Sequence, residues 1–403
     1  MVDITDMPAM RGASDMDAAN QRAPARAALT TQEILLPLTM VDVAAWGALA
    51  DRALEPNGYY LPDWELAVND SVPGRTGASA LVARDDASGL IGLMPVVTLR
   101  RATRIPLPAL VSAHPYGTLC TPLLDGNCAM RAADLLMQAA RDAGARALLL
   151  RDMSLDGAAM QAFKQISHRD RIEPRVLSSY QRAGLDATQD AEELLRDALG
   201  AKKLKELRRQ RHRLAEHGAV SFDVARSPAE VANAIETFLK LEASGWKGQR
   251  GTALLQVEGD AIFIRRATVA LAAAGRCEII TLRSGEAPVA AGIVLRQQSR
   301  AFFFKIGIDE RFAKFSPGVQ LTLELTRHLC ADPAITSADS TASADHPMIN
   351  PIWRGRFAIG DVLIPLRGND PIVALIHATL GARQSMFDMA RRGVRAIRAW
   401  RKR

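Results

Sequence analysis

The stretch KIGIDERFAKFSPGVQLTLELTRHLC, residues 305–330, changes character in its middle. It begins as the end of an aromatic strand, AFFFKIGI (301–308), crosses a charged loop, and becomes a helix whose apolar positions are Val319, Leu321, Leu323, Leu325 and Leu329. Ser316, Pro317 and Gly318 open that helix. The first N–H groups of a helix have no partner inside it and sit at the positive end of its dipole, so such a turn suits an anion. Gly318 would let a phosphate approach the backbone, Ser316 caps the helix or donates its hydroxyl, and Lys314 adds a mobile positive charge. An ordinary capped helix with proline at its first position is the competing reading of the same residues.

Upstream, AVSFDVA (219–225) alternates like a strand. It is followed by a helix with Ser227 as N-cap, Pro228 at the first position and Glu230 completing a capping box. Val231, Ile235, Phe238 and Leu239 form its apolar stripe, and a second helix runs from Asp260 to Ala274, ended by Gly275. CEIITLR (277–283), APVAAGIVLRQQ (287–298) and AFFFKIGI then read as an antiparallel meander. After the 317 helix come AITSAD and GRFAIGDVLIPL. The first half repeats this order loosely: ILLPLT, a helix from Met40 to Glu55, helical residues near Trp64, SALVARDD, LIGLMPVVTLRR, an irregular apolar piece at 109–124, a helix from Ala129 to Ala143, and ARALLLRD. Two similar units in tandem account for the length.

The totals agree. A chain of 403 residues exceeds what one hydrophobic core usually serves. With 48% apolar and 24% charged residues it can bury large cores, which excludes global disorder. A net charge of +7 suits polyanionic partners. Cys120, Cys128, Cys277 and Cys330 stand far apart, so neither a zinc site nor a disulfide framework is expected, and a cytoplasmic protein with reduced thiols is. Residues 1–30 read as a disordered leader, and no apolar run of about 18 residues marks a membrane span.

The order of elements in residues 219–366 resembles the GNAT acyltransferase fold, and the words LEASGWKGQRGTAL and KIGIDERFAKFSPGVQL resemble the CelD-like acetyltransferase branch, which is similar in turn to the FemAB-like tandem GNAT transferases. The resemblance implies an α/β (α+β) chain of two tandem GNAT-like units, each a mixed, mostly antiparallel sheet flanked by helices. The expected division is 31–185 for a first unit without cofactor, 186–370 for the acyltransferase domain with its basic helix 190–217, and 371–403 for a basic C-terminal helix. It also implies acetyl-CoA, or another acyl-CoA, as co-substrate and no metal. The pantetheine arm would lie along Lys305, Ile306 and Gly307, and the pyrophosphate at Lys314, Phe315, Ser316, Gly318 and Val319. Aligned on Arg311, the chain has Lys314 and Ser316 where the family's phosphate signature expects glycine and a small residue. In the first unit SAHPYGTLCTPLLDGNCAM offers no comparable phosphate loop.

Glu242 falls near the inner end of the apolar face of its helix, where a carboxylate is costly unless partnered or working. It is a candidate general base, with a salt bridge to a basic residue such as Lys247 as the alternative. Asp309 follows the cofactor strand and is the second catalytic candidate; Trp246, Lys247, Gly248 and Asp339 are candidates for touching the acceptor. Trp246 plugging the core edge and turn-forming roles for the two aspartates are the structural alternatives. The second unit has no tyrosine to protonate a leaving thiolate, so either Tyr116 or Tyr180 reaches across or the thiolate leaves without a dedicated acid. His114, His212 and His346 have no triad-like neighbourhood, which disfavours hydrolase chemistry.

The expected activity is direct transfer of an acyl group to an amine or hydroxyl on a sugar or polysaccharide precursor, with no DNA partner. One rival is aminoacyl transfer from a charged tRNA, which would use the basic residues of KKLKELRRQRHR; another is a non-catalytic module holding nucleic acid or an anionic membrane. In the tail, Phe387, Val394 and Ile397 opposite several arginines make a face suited to peripheral membrane contact.

Overall fold

A computed structural model describes residues 35–85 and 89–400, the leader lying outside the described residues. The strands are β1 (Leu35–Pro37), β2 (Ser79–Asp85), β3 (Gly89–Thr98), β4 (Ala109–Ser112), β5 (Leu123–Leu124), β6 (Ala147–Ser154), β7 (Arg175–Asp186), β8 (Val220–Ala225), β9 (Cys277–Ser284), β10 (Ala287–Gln297), β11 (Arg300–Ile308), β12 (Ser337–Asp339) and β13 (Gly355–Pro365). They form one sheet in the order β1-β2-β3-β4-β6-β13-β7-β12-β11-β10-β9-β8, with β5 paired to β3.

Inward from one edge the sheet runs β1-β2-β3-β4-β6-β13; inward from the other it runs β8-β9-β10-β11-β12-β7. Both series are antiparallel three times, parallel once (β4 with β6, β11 with β12), then antiparallel again. The tandem duplication expected from the order of elements is therefore present as two matching strand series. The closing strands are exchanged, since β7 from the first half completes the second series and β13 from the second half completes the first. β7 and β13 pair with each other along most of their lengths, which joins the two series into one sheet. The division expected at 185/186 thus falls at the end of a strand that belongs spatially to the other unit.

The Pro228–Ser244 helix has the capping box expected of it, with Ser227 Oγ accepting from the Glu230 N–H and the Glu230 side chain accepting from Ser227. Its stripe of Val231, Ile235, Phe238 and Leu239 is buried in a core that also contains Trp46, Tyr59, Trp64 and Leu123 from the first half. One apolar core therefore spans both units. At its centre an aromatic cluster bridges them: the Trp64 ring lies 4.9 Å from both Phe263 and Phe304, and Tyr59 lies 5.8 Å from Phe302.

The two matching strands differ in continuity. β11 runs unbroken along β10, with one irregularity: Ile293 faces Lys305 and Val294 faces Phe303, so Phe304 is an inserted residue with no opposite number. At the corresponding place in the first unit β3 pairs first with β4 and then with β5, and residues 113–122 leave the sheet between them. The irregular apolar piece at 109–124 is this interrupted strand.

Candidate active site

Parallel pairing of β11 with β12 ends at Phe302 and Asp339. Beyond that point the strands diverge, and a cavity of about 130 Å³ opens between Phe303–Ile306 on one side and Ser340–Ala342, His346, Met348 and Ile349 on the other. The bulge at Phe304 increases the local twist and sets the direction in which Lys305 leaves the strand. Lys305 and Ile306, expected along a pantetheine arm, both line this cleft.

Gly307 serves a different contact. A Cβ there would meet the Glu242 backbone N at 2.9 Å, so glycine lets β11 approach the Pro228–Ser244 helix closely. That approach buries Glu242, whose side chain is wholly inaccessible. One carboxylate oxygen accepts the Leu254 N–H at 2.9 Å and the other lies 3.6 Å from Lys305 Nζ. The Lys305 ammonium also stands 5.8 Å from the Tyr116 ring and 5.6 Å from the Phe304 ring.

Tyr116 arrives from the first unit on the loop that interrupts the β4–β5 strand, at a left-handed φ of 63°. Its hydroxyl donates to Asp260 Oδ2 at 2.5 Å, and the Arg75 guanidinium lies over its ring, 4.9 Å from the ring centre. Burial, and then the hydrogen bond to Asp260, pushes its proton affinity well above the ordinary tyrosine range. Of the two tyrosines that might reach across, Tyr116 is thus the one beside Lys305. Nothing in its sequence neighbourhood marked Arg75 or Asp260 as its partners, because they come from a turn and a helix far apart in the chain.

The helix Pro317–Cys330 begins at the far end of the cleft. Ser316 holds its N-cap position in a left-handed conformation, φ 53° and ψ 51°, and makes no side-chain cap bond. Lys314 is exposed, its ammonium 4.8 Å from the Phe315 ring. Phe315 faces inward, buried in the core of the second unit beside His217 at 5.4 Å, and so is not available to a cofactor. Val319 is half-buried against the same core. Gly318 is covered: a Cβ there would lie 3.0 Å from Met348 Sδ. Met348 therefore stands over the turn where a pyrophosphate is expected.

The aspartates do not face the cleft. Asp309 caps the short 310–315 helix and binds the Arg311 backbone and guanidinium, which hold its carboxyl below the usual range. A carboxylate so held is a poor base, and its work is to shape the loop. Asp339 is buried in an ion pair with the fully buried Arg182 of β7, while its second oxygen accepts the Thr341 N–H at 2.8 Å. It closes the strand exchange rather than touching an acceptor. Gly248 lies in the short Trp246–Gln249 helix, its carbonyl accepting from Gln256 Nε2 at 2.7 Å. The side chains of Trp246 and Lys247 lie outside the described residues.

The helix Ala191–Ala215 runs beside the 310–315 segment and is tied to the 317 helix by Gln320 Nε2 donating to the Leu207 carbonyl at 2.8 Å. Leu204, Leu207 and Leu214 face the core, while Lys202, Lys205, Arg208, Arg209 and Arg213 are exposed and make no ion pair among the described residues. No group of three or more His, Cys, Asp or Glu side chains suited to a metal occurs among the described residues.

Residues 201–346 match the family model described as "Acetyltransferase (GNAT) domain". Among solved structures the chain is similar to FemX, at 12% identity and a TM-score of 0.54, covering 85% of this chain and 99% of that one. It is also similar to the C-terminal domain of an Agrobacterium fabrum protein assigned as a lysylphosphatidylglycerol synthetase, at 14% identity and a TM-score of 0.51, covering 84% of this chain and 95% of that one. No curated protein matches the chain in sequence. The fold is GNAT-like, repeated in tandem.

Proposed function

We propose that this protein is an acyl-CoA-dependent N- or O-acyltransferase, using acetyl-CoA, that acts on a sugar or polysaccharide precursor by direct transfer. The observation that carries this reading is the divergence of β11 from β12 at Phe302 and Asp339, which opens a cleft walled by strand backbone and aimed at the start of the 317 helix. A strand edge of that kind suits the amides of a pantetheine chain. The helix start, Lys314 and the basic row of the 191–215 helix suit its phosphates. Met348, which lies over Gly318, would have to swing aside for a phosphate to reach the helix start.

Acyl-CoA would supply a thioester, a carbonyl already reactive toward an amine or hydroxyl. What the chain supplies is placement and charge. Lys305 faces the cleft and opposes negative charge developing on the thioester as it is attacked. Glu242 lies behind Lys305, bonded to Leu254, and so acts by fixing the ammonium rather than by reaching the acceptor. Tyr116 commits its hydroxyl to Asp260 and shapes the wall between the units; a thiolate whose conjugate acid has a pKa of about 8.5 can leave without a dedicated acid.

Titration calorimetry with acetyl-CoA tests the reading. The native protein binds, and the exposed Lys314→Glu variant binds about tenfold more weakly, as expected for one lost charge-assisted contact reversed in sign. No heat with native protein would end the acyl-CoA assignment. The unpaired basic row on the 191–215 helix favours one second reading, aminoacyl transfer from a charged tRNA. Salt-sensitive RNA binding without acetyl-CoA binding would put that reading first. The four free cysteines suit a reducing compartment such as the cytoplasm. Exposed Leu375, Met386, Phe387 and Met389 on the Pro371–Trp400 helix suit peripheral contact with a membrane surface; no helix among the described residues is long and apolar enough to cross one.

A further inference from the structure

The strand repeat places a second cavity where the first unit corresponds to the β11–β12 cleft. Pairing of β4 with β6 ends at Val111 and Leu149, as pairing of β11 with β12 ends at Phe302 and Asp339. Ser112 and Ala113 therefore correspond to Phe303 and Phe304, and Arg151 corresponds to Thr341. Just past the β4–β6 pairing lies a cavity of about 300 Å³, lined by Ser112, Ala113, His114, Arg151 and the segments around Arg75 and Arg101. Where the second unit has an aromatic strand edge, the first has guanidinium groups.

Three arginines from three elements meet there, and no carboxylate is among the lining residues. Arg75 is fixed by donating to the His114 carbonyl at 3.0 Å and by its stacking on Tyr116. Arg101 donates to the Gly77 and Thr76 carbonyls. The Arg151 backbone N–H donates to Ser112 Oγ at 2.9 Å, while its guanidinium makes no hydrogen bond or ion pair among the described residues. His114 adds no further positive charge: burial first, and then Arg75 and Arg151, bring it down to about 3, so it is neutral at physiological pH. Three guanidinium groups with no carboxylate in the cavity lining suit a ligand with more than one negative charge, such as a phosphate or pyrophosphate.

We propose that this cavity seats the phosphate or pyrophosphate of the acceptor. The acceptor role rests on the acyltransferase reading; the anion site itself does not. Arg75 forms part of the cavity wall and stacks on Tyr116, which stands beside Lys305 at the edge of the second unit's cleft. An acceptor anchored by its phosphate among Arg75, Arg101 and Arg151 would thus extend past Tyr116 to present its amine or hydroxyl at Lys305. The substrate class this names is a phosphorylated or nucleotide-linked sugar.

The test is titration of the full chain with inorganic pyrophosphate, comparing native protein with Arg151→Gln, Arg151→Lys and Lys314→Glu. The Arg151 guanidinium makes no hydrogen bond or ion pair among the described residues, so its variants should fold, which melting temperatures verify. The proposal expects a pyrophosphate binding event that Arg151→Gln weakens about tenfold or more and Arg151→Lys partly recovers, with Lys314→Glu affecting only binding at the start of the 317 helix and leaving that event in place. Equal binding by native protein and Arg151→Gln, loss in Lys314→Glu alone, or no binding by native protein would each overturn it. Acetyl-CoA titrated into the same samples reports separately: failure there removes the acyl-CoA reading while a pyrophosphate site dependent on Arg151 stands.

Discussion

Lys305 Nζ lies 3.6 Å from Glu242 Oε1 at the rim of the β11–β12 cleft, and the carboxylate is sealed behind the ammonium. The pair joins β11 to the helix whose packing Gly307 permits. Lys305→Met should lower acyl transfer about 10- to 100-fold in kcat, the range seen when one donor to developing charge is lost, and should also lower the melting temperature because it leaves the buried Glu242 carboxylate without its ammonium. Steady-state kinetics on the purified variant decides it; an unchanged kcat would leave Lys305 a structural residue.

Asp339 and Arg182 predict the opposite pattern. Removing the carboxylate leaves a fully buried guanidinium uncompensated at the joint between β7 and β12. Asp339→Ala should cost about 3–5 kcal/mol in urea unfolding. Activity per folded molecule should survive, which separates this role from contact with an acceptor.

Met348 predicts a gain. With its sulfur placed 3.0 Å from where a Gly318 Cβ would stand, it must move for a pyrophosphate to reach the helix start. Met348→Ala should tighten acetyl-CoA binding about two- to tenfold by removing that reordering cost. Weaker binding in calorimetry would show that Met348 supports the site instead of covering it.

Acid stability should be governed in part by Glu278. Burial pushes its pKa up, yet the hydrogen bond to His328 and the Arg296 and Arg226 guanidinium groups outweigh this and bring it to about 2 from 4.5. A depressed folded value means that the stabilisation is present above 4.5 and is lost as pH falls from there toward 2. Glu278→Gln should therefore be less stable at pH 7 by about 3 kcal/mol and should show a flatter loss of stability below pH 4.5 than the native protein. Urea midpoints measured from pH 3 to 7 check the slope.

The shared core predicts that neither unit melts alone. Trp64 is fully buried between Tyr59 of its own unit and Phe263 and Phe304 of the other. Trp64→Ala should cost about 3–5 kcal/mol and shift one cooperative transition. Calorimetric melting of the variant as two separated transitions would contradict a single core.

Local chemistry made much of this legible in the chain. The Ser227–Glu230 capping box, the three-strand meander and the apolar stripe of the 317 helix are short-range patterns, and each formed where its residues specify it. The duplication was visible as an order of elements. Polar partnerships across the chain were not, because hydrogen-bond geometry depends on which segments meet. Ser316 occupies the expected cap position with unexpected dihedrals, Phe315 turned inward to His217, and Glu242 found Lys305.

What the sequence alone determined was the repeating strand and helix order, its GNAT-like character, and the small-residue turn from Ser316 to Gly318. Hydrophobic period and turn residues act over a few positions, so they are written in the chain. Only the tertiary structure decided that β7 and β13 trade places, that Tyr116 crosses to Lys305, and that Met348 covers Gly318. It also decided that Arg75, Arg101 and Arg151 share one cavity. These relations join residues tens to hundreds of positions apart. They follow from the closure of two units around one core, which no local pattern encodes.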